Sequence, residues 1–306
     1  MRRTVIAGAV AVAALVLTAC GGGGDPLAGS TPAGPAAAGD TIKIGSADFT
    51  ESQLLAAIYA AALQARGVTV EQTPPIGSRE TYIPALKDGS IDLIPEYTGV
   101  LLQYFDKTAP QTEANDVYAA LRKAVPAPLT VLDKSAAEDK DAVVLPRAVA
   151  QRYNATSIAD LAPHCGELDF GGPPEFQTRP DGIPGIQKTY NCTFKSYKSL
   201  DAGGPLTQKA LAEGQVQAAD VFTTDPSIAD KDLVALTDPK NNFAAQNVLP
   251  LINSAKATDQ VKQVLNAVSG KLTTQILIDL RRKMDAPDKP NAGVVAKEWL
   301  TANGLG

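Results

Sequence analysis

Aromatic side chains are scarce, 5% of the 306 residues, with one tryptophan (Trp299) and one histidine (His164). A lone histidine excludes a multi-histidine metal centre, and no other metal-ligand spacing is present, so no metal and no cofactor is expected. There is no Gly-x-Ser-x-Gly elbow and no Ser/His/Asp set around His164, so the chain is not expected to be an enzyme. Positive charge is also short: 28 Lys and Arg against 33 Asp and Glu leave a net charge of -5, which argues against a nucleic-acid partner. No run reaches the roughly 18 apolar residues that a spanning helix needs. What remains is ordinary for a globular protein, 44% hydrophobic and 20% charged residues in a length that suits one large or two medium domains.

The start of the chain is the exception. Arg2 and Arg3 precede an apolar stretch at 5–17 that is too short to span, the layout of a signal peptide over residues 1–19. The segment Leu17-Thr18-Ala19-Cys20 is similar to the bacterial lipobox, which implies cleavage before Cys20 and diacylation of its sulfur. Residues 21–39 are almost all Gly, Ala, Pro, Ser and Thr, a composition that buries no core. Together 20–39 read as a lipidated cysteine and a flexible tether of about 25 Å root-mean-square reach. The expected location is the extracytoplasmic face of the cell membrane, held there by the lipid alone. In such a compartment the remaining cysteines, Cys165 and Cys192, are expected to form a disulfide. A catalytic Cys165 next to His164 is the competing reading, although chain neighbours rarely face each other as nucleophile and base.

From residue 40 the pattern alternates between strands and helices. Thr41-Ile42-Lys43-Ile44-Gly45 reads as a strand, 51–66 as a helix closed by Gly67, 68–73 as a strand, 79–87 as a helix and 91–94 as a strand. Helices at 98–106 and 112–124 and a strand near 128–132 follow, which predicts an α/β domain with a largely parallel sheet. A second α/β stretch runs to about 246, with strands at 143–145, 168–170, 193–196 and 218–222. A strand at 248–252 and helices at 258–269, 273–283 and 292–303 then return to the first body. The expected division is lobe I at 40–141 and 247–306, and lobe II at 142–246. Two chain crossings join them, with a ligand cleft between.

Four blocks carry a resemblance. They are Ile44-Gly45-Ser46-Ala47-Asp48-Phe49-Thr50-Glu51, the stretch from Ala85 through Asp92-Leu93-Ile94-Pro95-Glu96-Tyr97-Thr98-Gly99, Thr178-Arg179-Pro180-Asp181-Gly182-Ile183-Pro184-Gly185, and Val221-Phe222-Thr223-Thr224-Asp225. In this order they resemble the substrate-binding proteins of ABC importers for glycine betaine, choline, carnitine and related osmoprotectants. The resemblance implies a type II periplasmic-binding-protein fold, an osmoprotectant as small-molecule solute, and an ABC permease with its ATPase as partners. The chain is expected to be a monomer.

Each block also has a physical reading. Residues 46–51 lie between a strand and a helix, where Asp48, Thr50 and the helix N-terminus either face a ligand or merely cap the helix. Tyr97 ends a buried strand, where a lone Tyr is either a core edge or a cleft residue, and the resemblance favours the cleft. Arg179 either grips a ligand carboxylate or makes a salt bridge between the lobes. In the family a cage of tyrosines holds the quaternary ammonium by cation–π attraction. The resemblance puts the cage positions at Tyr97, Asp141, Phe222 and Gln246, so one tyrosine is kept and one becomes Phe. A family lysine falls on Ala47 and a family threonine on Val100. With two polar cage positions, a hydroxylated or aromatic solute is the alternative ligand, and a transporter-independent sensor the alternative role.

Overall fold

The computed structural model describes residues 41–286 and 288–306. The signal peptide, Cys20 and the tether lie outside the described residues.

The first stretch comprises β1 (Ile42–Ile44), α1 (Thr50–Ala65), β2 (Val70–Gln72), α2 (Arg79–Asp88), β3 (Leu93–Tyr97), α3 (Thr98–Phe105), α4 (Ala114–Ala124) and β4 (Leu129–Val131). The second holds β5 (Asp141–Pro146), α5 (Arg147–Arg152), α6 (Ile158–Leu161), β6 (Asp169–Gly172), α7 (Ile183–Tyr190), β7 (Ser196–Ser199), α8 (Pro205–Ala212), β8 (Ala218–Phe222), α9 (Ser227–Asp230) and β9 (Leu233–Ala235). The chain then returns through β10 (Val248–Asn253) to α10 (Asp259–Ser269), α11 (Thr274–Met284) and α12 (Ala292–Ala302).

Two five-stranded sheets result, ordered β2-β1-β3-β10-β4 and β7-β6-β8-β5-β9. The expected α/β, two-lobed architecture holds, but the sheets are mixed rather than largely parallel. β1 runs parallel to β2 and β3, and β6 to β7 and β8, whereas β10 is antiparallel to β3 and β4, and β5 to β8 and β9. The reason is topological. β5 and β10 enter their sheets directly from the other lobe, without the crossover helix that forces parallel alignment.

Packing explains why the terminal helices return. In α1 apolar residues occur on all sides, and Leu54, Leu55, Ile58, Tyr59 and Leu63 are all fully buried. A helix apolar all round needs cover on every side. The sheet gives Ile42, Ile44 and Leu93, and α10, α11 and α12 supply Leu265, Leu277, Val295 and Trp299. Each such side chain contributes roughly 1.5–3 kcal/mol of burial. In the second lobe Cys165 and Cys192 are bonded, with Cα atoms 5.4 Å apart, tying the turn after α6 to the end of α7.

The register sets the functional positions. Asp141, first residue of β5, pairs with Phe222, last of β8. Val248, first residue of β10, pairs with Tyr97, last of β3. Both crossings therefore pass beside the C-terminal ends of the central strands, where open α/β sheets place ligands.

Candidate functional site

One cavity collects residues from both lobes. Ala47, Asp48 and Phe49 come from the β1–α1 connection, Arg79 and Tyr82 from α2, and Tyr97 and Val100 from the β3–α3 junction. Asp139, Asp141 and Gln246 come from the crossings, while Glu175, Arg179, Asp220 and Phe222 come from the second lobe. Of the residues expected from sequence, Tyr97, Asp141, Phe222, Gln246, Arg179 and Asp48 line this cavity. Thr50 instead lines the groove that continues outward past Asp225 and Arg281.

Three rings converge across the cleft. The centroid of Phe49 is 4.9 Å from that of Phe222 and 6.1 Å from that of Tyr97, both pairs tilted. Phe49 lies within the first sequence block, but nothing in its spacing separated a cavity ring from a staple of α1.

Tyr97 is 6% exposed, and its hydroxyl donates to Glu51 Oε1 at 2.8 Å. The other oxygen of Glu51 accepts from the Thr224 hydroxyl, a bond from one lobe to the other. Burial, then the neighbouring Glu51 charge, push the Tyr97 phenol well above its ordinary range. Asp139 is buried beside them and accepts from the Thr224 N–H at 3.0 Å and the Thr223 hydroxyl at 3.2 Å. Burial and the Glu51 charge raise its carboxyl well above the carboxylate range.

Gln246 serves α3 directly. Its Oε1 accepts from the N–H groups of Gly99 and Val100, both at 3.0 Å, satisfying two of the donors a helix start leaves open. Gly99 is needed for this approach, since a Cβ there would stand 2.8 Å from the Ala245 carbonyl oxygen.

Both arginines of the cavity are paired. Arg79 makes two bonds to Glu96, at 2.8 and 2.7 Å, and Tyr82 donates to the same carboxylate at 2.9 Å. Arg179 reaches across the cleft to Glu80 at 3.2 Å and also approaches Glu175 at 3.8 Å. Of its two sequence readings, the interlobe salt bridge is the contact present. Another link joins Arg281 of α11 to Asp225 at 2.9 Å, with both side chains buried.

Carboxyl groups dominate what is left. Asp141, Asp181 and Asp220 stand close enough to perturb one another. Burial first, then mutual repulsion, push Asp181 up to about 6 and Asp220 well above the usual carboxylate range. Burial likewise raises Asp141, against the pull of Arg179 and Arg79. Asp220 escaped the sequence reading because it stands one position before the recognised Val221 block. Among the described residues, no cluster of His, Cys, Asp and Glu is arranged to hold a metal ion.

Comparison with known proteins agrees with this architecture. The family model described as the substrate binding domain of ABC-type glycine betaine transport systems matches residues 40–302. The glycine-betaine-binding protein of Pseudomonas aeruginosa is 32% identical over 225 residues, covering 70% of this chain and 71% of its own length. The ergothioneine transport permease/ergothioneine binding protein EgtU of Helicobacter pylori is 27% identical over 261 residues, 84% of this chain, which spans only 46% of that relative. Among solved structures, apo YehZ from Escherichia coli superposes with a TM-score of 0.61 at 27% identity, over 87% of this chain and 99% of the other. A glycine betaine/carnitine/choline ABC transporter structure gives 0.68 at 23% identity, over 86% and 99%, a likeness of fold alone.

Proposed function

The chain belongs to the family of substrate-binding domains of ABC-type glycine betaine transport systems, and from that premise we propose that its interlobe cavity captures a small quaternary-ammonium solute. The observation that carries this reading is the meeting of Phe49, Tyr97 and Phe222 beside the carboxyl groups of Asp141 and Asp220. A trimethylammonium group has no hydrogen to donate, so ring faces and nearby negative charge are what attract it. The relatives named for glycine betaine support the class, and the relative named for ergothioneine widens the range of ligands to be tried.

Residues 1–19 act as the signal peptide, Cys20 carries the lipid, and 21–39 tether the body at the extracytoplasmic face. The lobes close on the solute, and the closed form presents it to an ABC permease driven by its ATPase. Catalysis is not part of this role.

A thermal-shift panel tests the ligand class, because a ligand that binds only the folded state raises its melting temperature. Glycine betaine, choline, carnitine and ergothioneine are run beside polyols and phenolic compounds. A shift with at least one trimethylammonium compound is expected. Shifts confined to the polyols or phenols would overturn the proposal in favour of a hydroxylated or aromatic ligand.

A further inference from the structure

The polar groups facing the cavity are unevenly matched. Its two cations are committed, Arg79 to Glu96 and Arg179 to Glu80 and Glu175. Nearby donors are committed as well. The Ala47 N–H goes to Ser52 Oγ at 2.9 Å, those of Gly99 and Val100 go to Gln246, and the Tyr197 hydroxyl goes to the Pro173 carbonyl at 2.6 Å. Acceptors are what remain. Asp220 is 1% exposed, and its Oδ1 finds no donor among the described residues. Asp141, on the paired strand β5, lines the same cavity, its strand partner Phe222 standing two residues after Asp220. One donor is left over too, Gln246 Nε2, which is buried without a partner among the described residues.

We propose that Asp220, backed by Asp141, sets the charge of the ligand, so that the cavity takes a quaternary-ammonium alcohol of net positive charge and disfavours a zwitterion whose far end is a carboxylate. This rests on the quaternary-ammonium reading above. A hydroxyl both donates and accepts, so it suits a leftover acceptor on Asp220 and a leftover donor on Gln246. A ligand carboxylate brings only acceptors and further negative charge to a wall whose two carboxyls ionise when the cation arrives, and both arginines that line the cavity are already paired. A polar site built for one hydrogen-bonding group rejects a ligand that leaves its own buried groups unmatched.

The same arrangement links binding to protons. Asp220 faces Asp141, Asp181, Arg179 and Tyr197, and Arg79 and Glu175 stand at the edge of this set. Burial and crowding with so little free positive charge favour the protonated forms of these carboxyls. An arriving cation favours the ionised forms and displaces a proton to solvent.

Titration calorimetry of the protein with choline and with glycine betaine, each in two buffers of different ionisation enthalpy, tests this. Choline is expected to bind at least tenfold more tightly than glycine betaine, with a heat that reports proton release. Asp220→Asn, checked for folding by circular dichroism, is expected to weaken choline at least tenfold and to narrow the ratio between the ligands. Asp141→Asn should do the same to a smaller degree. Glycine betaine binding as tightly as choline, or with proton uptake, overturns the inference while the quaternary-ammonium reading stands. Loss of binding for choline, glycine betaine, carnitine and ergothioneine alike overturns that reading itself. If Asp220→Asn does not fold, the ratio in the unaltered protein decides alone.

Discussion

Tyr97 offers the cleft two separable things, a ring face and a hydroxyl. The hydroxyl is spent on Glu51, so Tyr97→Phe leaves the ring in place but removes a donor from a fully buried carboxylate. A buried acceptor left without its donor costs about 1–3 kcal/mol. Chemical denaturation of Tyr97→Phe should therefore show that loss, while ligand affinity stays within a few-fold. Tyr97→Ala and Phe49→Ala should instead abolish ligand binding or weaken it more than tenfold, read by calorimetry. Equal effects of Tyr97→Phe and Tyr97→Ala on affinity would mean that the hydroxyl, not the ring, faces the ligand. At this scale the sequence was informative where a motif fixed a strand end, as at Tyr97. It was silent where tertiary pairing decided the matter: nothing in the chain order shows that Arg179 answers Glu80, 99 residues away, rather than a ligand.

Among the elements, α3 depends on a residue far along the chain. Gln246 precedes β10 yet holds the first amides of α3, and Gly99 lets the crossing come close enough to do so. Gln246→Ala orphans two buried N–H groups, and a loss of about 1–3 kcal/mol is expected in urea unfolding. Gln246→Glu retains an acceptor and should recover most of it. The cage position thus has a structural duty that its place in the family pattern did not reveal. Long elements were legible, α10 and α11 because apolar spacing specifies them, and α1 because it is a long Ala- and Leu-rich run closed by Gly67. Short ones were not. Strand β9, three residues long, and helix α5, six long, carry too little pattern, and β7 lies three residues beyond the expected 193–196 because its residues are mostly exposed. The antiparallel entry of β5 and β10 is a property of the crossings, which periodicity does not encode.

For the molecule as a whole, side-chain links that bridge the lobes include Arg179 with Glu80, Thr224 with Glu51 and with Asp139, Arg281 with Asp225, and Arg282 with Asp230. Arg179 is 21% exposed and Glu80 48%, so the first link is worth no more than about 1 kcal/mol. Arg179→Ala should scarcely change stability, but it should enlarge the radius of gyration of the unliganded protein in small-angle scattering by favouring an open form. An unchanged radius of gyration would mean that the remaining interlobe links suffice.

Acidity separates the two kinds of carboxyl. Asp181 has its pKa raised to about 6 in the folded state, so between about pH 4 and 6 the folded chain binds more protons than the unfolded one. Stability from this group is present below about pH 4 and is lost as the pH rises through 6, by about 3 kcal/mol for a shift of some two pH units. Glu80, held down to about 2 chiefly by its Ser78 hydrogen bond and the Arg179 charge, against the opposing effect of burial, acts with the opposite sign and only below its usual value. The urea midpoint of the unliganded protein should therefore fall as the pH rises from 4.5 to 6.5. Asp181→Asn should flatten that slope, whereas a slope unaltered by the substitution would assign it to other groups.

A crystal structure with a bound trimethylammonium compound tests most directly whether a methylated cation sits among Phe49, Tyr97 and Phe222. The quaternary nitrogen is expected within about 6 Å of all three ring centroids, with Asp141 and Asp220 on its polar side. Density for the ligand elsewhere, for example in the groove between Arg66 and Gln260, with the three rings still packed on one another, would contradict that placement.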